Sequence, residues 1–111
     1  MGSIAQDKNG NIALGYSVVN GTNVFPGIRY TGRLAGATLG QMTLGEGTII
    51  NGAGVQTTLN SRWGDYTDIT VDPTDDCTFW YVNEYYTAAG QASSPAGWQT
   101  RIASFKLPGC L

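Results

Sequence analysis

Arg29, Arg33, Arg62 and Arg101, the carboxylates Asp65 and Glu84, and the phenols of Tyr81, Tyr85 and Tyr86 are the side chains from which glycoside chemistry could be assembled. Cleaving a glycosidic bond takes two carboxyl groups, or a tyrosine–carboxylate pair with an arginine cluster, converging on one sugar. The simpler expectation for Arg29 and Arg101 is pairing with neighbouring carboxylates or backbone. A second set is aromatic. Trp63, Tyr66 and Trp98 stand near loop boundaries, where rings with polar tips serve as stacking platforms for ligands. With Arg29, Arg62 and Arg101 they make up the candidate ligand-binding residues. No catalytic residue is assigned: His is absent, no Ser or Thr sits in a nucleophile elbow, and no glycine-rich phosphate loop opens a helix.

Asp72, Asp75 and Asp76 are the candidate metal ligands, because Ca²⁺ takes several carboxylate and carbonyl oxygens from a tight loop. Ca²⁺ is the one cofactor such a cluster suggests, although Asp-Pro-Thr-Asp-Asp is also ordinary turn chemistry. Cys77 and Cys110 are too few for a zinc site in a chain without His, which leaves a disulfide or two buried thiols. The disulfide is the expectation. It would restrain the unfolded chain by about 4 kcal/mol in the loop-entropy picture and imply a secreted or extracytoplasmic protein.

Composition sets the frame for these residues. Charged residues make up 13% of the 111 positions, about half the usual ~25% share, and 16 glycines join 41% hydrophobic residues. That balance argues for a turn-rich β protein and against disorder or coiled coil. A net charge of −2 with six scattered basic residues offers no surface for nucleic acid. No run of apolar residues reaches membrane-spanning length, and Met1-Gly2-Ser3 leads into patterned sequence with no signal peptide. The expected partners exclude nucleic acid and membrane.

Apolar alternation marks extended segments at Ser3 to Asp7, Asn11 to Val19, Val24 to Leu34, Gln41 to Ile50, Asp65 to Val71, Thr78 to Tyr86 and Trp98 to Leu107. No window carries a helical stripe, so the fold class is all-β. Asn9-Gly10 predicts a type I′ hairpin turn. Pro26 belongs at the start or edge of its strand. The Gln41 to Ile50 segment, weakened by Gly45 and Gly47, predicts an outer, bulged strand. Asn20-Gly21-Thr22 reads as a loop, and Ala88 to Gly97 as an exposed one. Alternation puts Trp80, Val82, Glu84 and Tyr86 on one face and Phe79, Tyr81, Asn83 and Tyr85 on the other.

The single domain, residues 1–111, divides into two similar units, about 3–55 and about 65–110. Ser3 to Asp7 corresponds to Asp68 to Asp72, Asn11 to Ser17 to Cys77 to Asn83, and Gly27-Ile28-Arg29-Tyr30 to Gln99-Thr100-Arg101-Ile102. Only the first unit has a fourth strand. Asp7-Lys8-Asn9-Gly10-Asn11, Pro26-Gly27-Ile28-Arg29-Tyr30, Ser61-Arg62-Trp63-Gly64-Asp65-Tyr66 with Asp72-Pro73, and Phe79-Trp80-Tyr81 resemble blades of secreted bacterial sialidase-like β-propeller proteins of the Asp-box type. The turns differ from the strict Ser-x-Asp-x-Gly-x-x-Trp pattern, since Gly10 follows Asp7 by three positions and the second turn has Pro73 without Gly.

The resemblance implies two antiparallel four-stranded blades, the second incomplete, covered by oligomerisation or strand exchange. The expected function is therefore a non-catalytic, self-assembling scaffold, three chains giving six blades or four giving eight, joined through blade faces or edge strands. A start at the first repeat is what a trimmed or engineered chain would have. A lectin-like carbohydrate-binding module and a fragment of a sialidase-like glycoside hydrolase are the alternatives.

Overall fold

The computed structural model describes residues 1–111 as seven strands and one short helix. The strands are β1 (Ser3–Gln6), β2 (Ile12–Val18), β3 (Gly27–Arg33), β4 (Glu46–Ile50), β5 (Asp68–Val71), β6 (Phe79–Tyr85) and β7 (Gln99–Phe105). They form two antiparallel meanders, a four-stranded sheet β1-β2-β3-β4 and a three-stranded sheet β5-β6-β7. The helix α1 (Ala88–Ser93) corrects the expectation of a plain loop there. Its six residues, five of them small, leave no apolar stripe to read. What starts the helix is a cap, Thr87, whose hydroxyl accepts a 2.8 Å hydrogen bond from the Gly90 amide.

The β1–β2 hairpin also differs from its predicted type. Gly10 has φ +82°, whereas Asn9 stays out of the left-handed region. The Gly10 amide donates to Asp7 O at 3.0 Å and the Asp7 amide to Asn11 O at 2.9 Å. These bonds describe a three-residue loop whose glycine forms a bulge. The Asp7 carboxylate accepts from the amides of Asn9 and Asn11 and from the Asn11 side chain, which explains a buried Asp in a turn. β4 is an edge strand with a register shift opposite Ile28 and Arg29, and Pro26 stands just before β3. The strand begins only at Glu46, since Gly45, at φ +72°, turns the chain first.

The two sheets have matching skeletons. β1, β2 and β3 contain 4, 7 and 7 residues, and β5, β6 and β7 also contain 4, 7 and 7. Gln6, Ile12 and Arg33 lie side by side as Val71, Phe79 and Phe105 do, and Tyr16 pairs with Arg29 as Asn83 pairs with Arg101. Ile12 thus takes the place of Phe79, one residue from the correspondence expected from sequence. In a strand one residue is one face.

The matched skeleton shows which faces meet when the sheets stack. β1 packs on β5, and β2 and β3 pack on β6. The first sheet turns Ala13, Gly15 and Ser17 inward with their neighbours Ala5, Gly32 and Ile28. The second sheet turns in Phe79, Tyr81 and Asn83, which in the matched skeleton stand where Ile12, Leu14 and Tyr16 stand on the outer face of the first. Opposite faces of the two units therefore meet. Small residues on one side receive rings on the other: Phe79 and Tyr81 join Ile69, Leu107, Ala13 and Ile28 in the core, and Tyr30 stacks on Phe105 at 4.0 Å between centroids. Trp80, on the other face of β6, is 43% exposed.

Cys77 and Cys110 form a disulfide, with Cα atoms 5.6 Å apart. It closes the end of the sandwich where the two hairpins meet, and the Lys8 amide donates to Asp76 O at 2.9 Å there. No helix is long and apolar enough to cross a membrane.

Candidate functional site

At the other end, the β4–β5 connection folds over the sheets and is held from several sides. Ser61 and Gly64 have φ of 54° and 60° and turn the chain twice within four residues. Gly64 suits the left-handed φ that side chains rarely adopt, and a Cβ there would also crowd Met1 N at 3.0 Å and Asn83 Oδ1 at 3.3 Å. The Gly64 amide donates to Glu84 Oε2 at 3.2 Å, and its carbonyl accepts from the terminal ammonium of Met1 at 3.2 Å. Gln56 Nε2 donates to Arg62 O at 2.7 Å. The Arg62 guanidinium grips Asp65 through Nε at 2.8 Å and through Nη2.

Trp63 is pinned inward. Its indole N–H donates to Ser17 Oγ at 3.2 Å and its ring stacks on Tyr86 at 5.6 Å. Ser17 Oγ also accepts from Asn83 Nδ2 at 3.0 Å, and Asn83 Nδ2 donates to Tyr81 Oη at 2.8 Å. Tyr86 lies just past the end of β6 and is fully buried, so the alternation that grouped it with Trp80 stops one residue short of it. Burial holds the Tyr81 and Tyr86 phenols above their usual range.

Trp98 arrives from the α1 side. Gly90 and Gly97 are in backbone contact that no Cβ would permit. Pro95 O accepts from the amides of Thr57 and Thr58, both at 3.0 Å, and Gln91 Oε1 from that of Val55 at 2.8 Å. These bonds join the β4–β5 connection to the segment carrying Trp98. Between them lies a cleft of ≈ 360 Å³ lined by Asn60, Arg62, Trp63, Gly64, Asp65, Tyr66, Glu84 and Trp98.

Four of the six candidate ligand residues, Arg62, Trp63, Tyr66 and Trp98, therefore share one cleft, joined by both candidate carboxylates. The other two stand apart. Arg29 lines a separate cleft with Asn23, Phe25 and Asn51, and its guanidinium bonds Glu46 at 3.1 Å. Arg101 lies in an exposed groove with Tyr30, Thr48 and Phe105. Arg33 is buried, its Nη2 donating to Ala37 O at 2.6 Å. The arginines do not converge, so no arginine cluster exists to clamp one sugar. Asn60 is the lining residue that sequence reasoning missed, for a lone Asn in a polar connection carries no signal.

Arg29 belongs to a second polar group on the outer face of the first sheet. Glu46 accepts there from the Tyr16 hydroxyl as well as from Arg29. Burial, then the Glu46 carboxylate, pushes the Tyr16 pKa up to about 12. The Tyr16 hydrogen bond and the guanidinium lower that of Glu46.

The acidic hairpin does not assemble a metal site: Asp72, Asp75 and Asp76 form no group able to hold an ion. Asp72 accepts from the amide and hydroxyl of Thr74, at 2.9 and 2.7 Å, and from Trp80 Nε1 at 3.0 Å. Asp75 accepts from the amides of Cys77 and Thr78 and from the Thr78 hydroxyl, and pairs with Lys106 at 3.1 Å. These bonds lower the pKa of both carboxyls. Asp76 takes up the left-handed corner, at φ 54°. All three serve the turn.

No family model, no curated protein and no solved structure matches this chain.

Proposed function

We propose that the chain is a non-catalytic scaffold of two β-propeller-type blades that assembles head to tail with copies of itself. The observation that supports it is the stacking of opposite faces in two sheets of equal register. An interface of that kind uses up one face of each unit and leaves a complementary pair uncovered, the outer face of the first sheet and the outer face of the second. Repeating it between chains produces a ring if the rotation closes.

Both free faces have apolar centres. Ile4, 62% exposed, adjoins Leu14 on the first; Trp80 and Ile102, the latter 69% exposed, adjoin Val82 on the second. The second face is acidic, with Asp68 and Asp72 flanking Trp80, whereas on the first Arg29 is paired with Glu46. The disulfide supports an oxidising, extracytoplasmic setting.

Native mass by light scattering tests the reading. The unmodified chain is expected to form a discrete symmetric oligomer, and Ile4→Lys and Trp80→Lys each to give folded monomers. Mixing the two variants leaves one intact face on each, so they should form a dimer and nothing larger. An unmodified chain that stays a folded monomer, or variants that remain oligomeric, would refute the head-to-tail scaffold.

A further inference from the structure

We infer that the cleft at the loop end binds a neutral saccharide, a role distinct from the proposed assembly: its rings lie in the β4–β5 connection and beside α1, and only Glu84 shares the β6 face that carries Trp80. The ≈ 360 Å³ cleft falls within the ~300–1,000 Å³ range of small-molecule sites. Tyr66 is 92% exposed and Trp98 41% exposed, whereas Trp63 is locked to Ser17 and Tyr86. Two open rings beside a polar wall suit a pyranose, which has an apolar C–H face to stack and an equatorial rim of hydroxyls to hydrogen-bond.

The polar wall has unused valences. With Nε and Nη2 of Arg62 engaged by Asp65 Oδ2, the outer nitrogen Nη1 remains free to donate and Asp65 Oδ1 to accept. Glu84 holds the Gly64 amide with Oε2 alone. Fixed donors beside fixed acceptors match vicinal hydroxyls, each of which can both donate and accept. The wall is also rigid before any ligand arrives, since Gln56, Met1, Ser17 and Glu84 all anchor the segment that carries it.

Charge selects among sugars. One guanidinium faces two carboxylates, so the cleft is net negative and opposes the carboxylate of a sialic or uronic acid. A cationic amine would be drawn by that net charge and is the rival ligand class; Arg62 donors beside Asp65 and Glu84 acceptors favour hydroxyls, each of which can both donate and accept. The other polar groups are not comparable sites: the acidic hairpin spends its hydrogen bonds on its own turn, and the Tyr16–Glu46–Arg29 group, though Arg29 Nε is left without a partner, has no ring beside it as open as Tyr66.

Isothermal titration and tryptophan fluorescence with lactose, maltotriose, cellotriose, chitotriose, 3′-sialyllactose and choline test the inference. At least one of the four neutral oligosaccharides is expected to bind with Kd of about 1 mM or tighter. Trp98→Ala and Tyr66→Ala should each weaken it about tenfold, while Trp80→Lys, which tests the assembly, leaves it unchanged. Tyr66 is so exposed that its removal should leave the fold intact. Binding by none of the four, stronger binding of sialyllactose or choline, or binding indifferent to Tyr66→Ala and Trp98→Ala would each overturn the inference.

Discussion

The ring of Tyr81 occupies the space a side chain at position 15 would need: a Cβ on Gly15 would stand 2.5 Å from Tyr81 Cδ2. Tyr81 is 1% exposed and backed by Ile69 and Phe79, so it has nowhere to retreat. Gly15→Ala is expected to cost about 1–3 kcal/mol through overpacking, read as a lower urea midpoint. Gly21→Ala, with open space around it, should stay within about 0.5 kcal/mol of the parent.

The Cys77–Cys110 disulfide closes a loop of 33 residues, spanning β6, α1 and β7. Reduction should lower the unfolding free energy by about 4 kcal/mol, seen by comparing denaturant curves with and without reductant. The three-stranded sheet should be the first part to gain amide exchange, because the bond ties its last strand to its first hairpin. An unchanged midpoint after verified reduction would contradict this.

Acid should destabilise the fold through the hairpin carboxylates. The Thr78 hydroxyl and amide hold Asp75 well below the usual carboxylate range, and the Thr74 amide and hydroxyl lower Asp72. A depressed folded pKa contributes stability that is present above the unfolded value near ~3.9 and is lost as pH falls toward the folded one. Melting temperature should therefore fall below about pH 4, and Asp75→Asn should flatten that acid limb while lowering the plateau.

Alkali should act through Tyr16, whose pKa is pushed up to about 12. A raised folded pKa means the contribution is complete below the unfolded value near ~10 and disappears as pH rises through the folded one. Tyr81 and Tyr86, raised by burial, act in the same direction. Melting curves should shift downward between about pH 10 and 12, less steeply for Tyr16→Phe. An ordinary phenolate titration of Tyr16 by ultraviolet absorbance would rule out its part.

Seven extended segments were readable from alternation, and each contains one observed strand. Their ends were harder. Gln41 and Asp65 look extended in sequence, but strands begin only at Glu46 and Asp68, after turns held by tertiary bonds such as Thr31 Oγ1 to Gly45 O at 2.6 Å. α1 was hidden because its main signal is the Thr87 cap. For the site, Trp63, Tyr66 and Trp98, selected as aromatic residues near loop boundaries, line one cleft. Arg29 and Arg101 entered the same set as members of an arginine cluster, and residue type alone does not say whether arginines far apart in sequence converge.

What residue order determined alone was local: which segments extend, where Gly10 and Asp75 turn the chain, and that two cysteines were free to pair. These depend on φ/ψ preferences and side-chain period, properties of a few neighbouring residues. Only tertiary structure decided that Tyr81 is covered and Trp80 open, that Trp63 is a wall and Trp98 a free ring, and that the arginines lie apart. Alternation says that two faces differ but not which one a second sheet will cover. That choice follows from the register of one meander against another, where a shift of a single residue exchanges every inside for an outside.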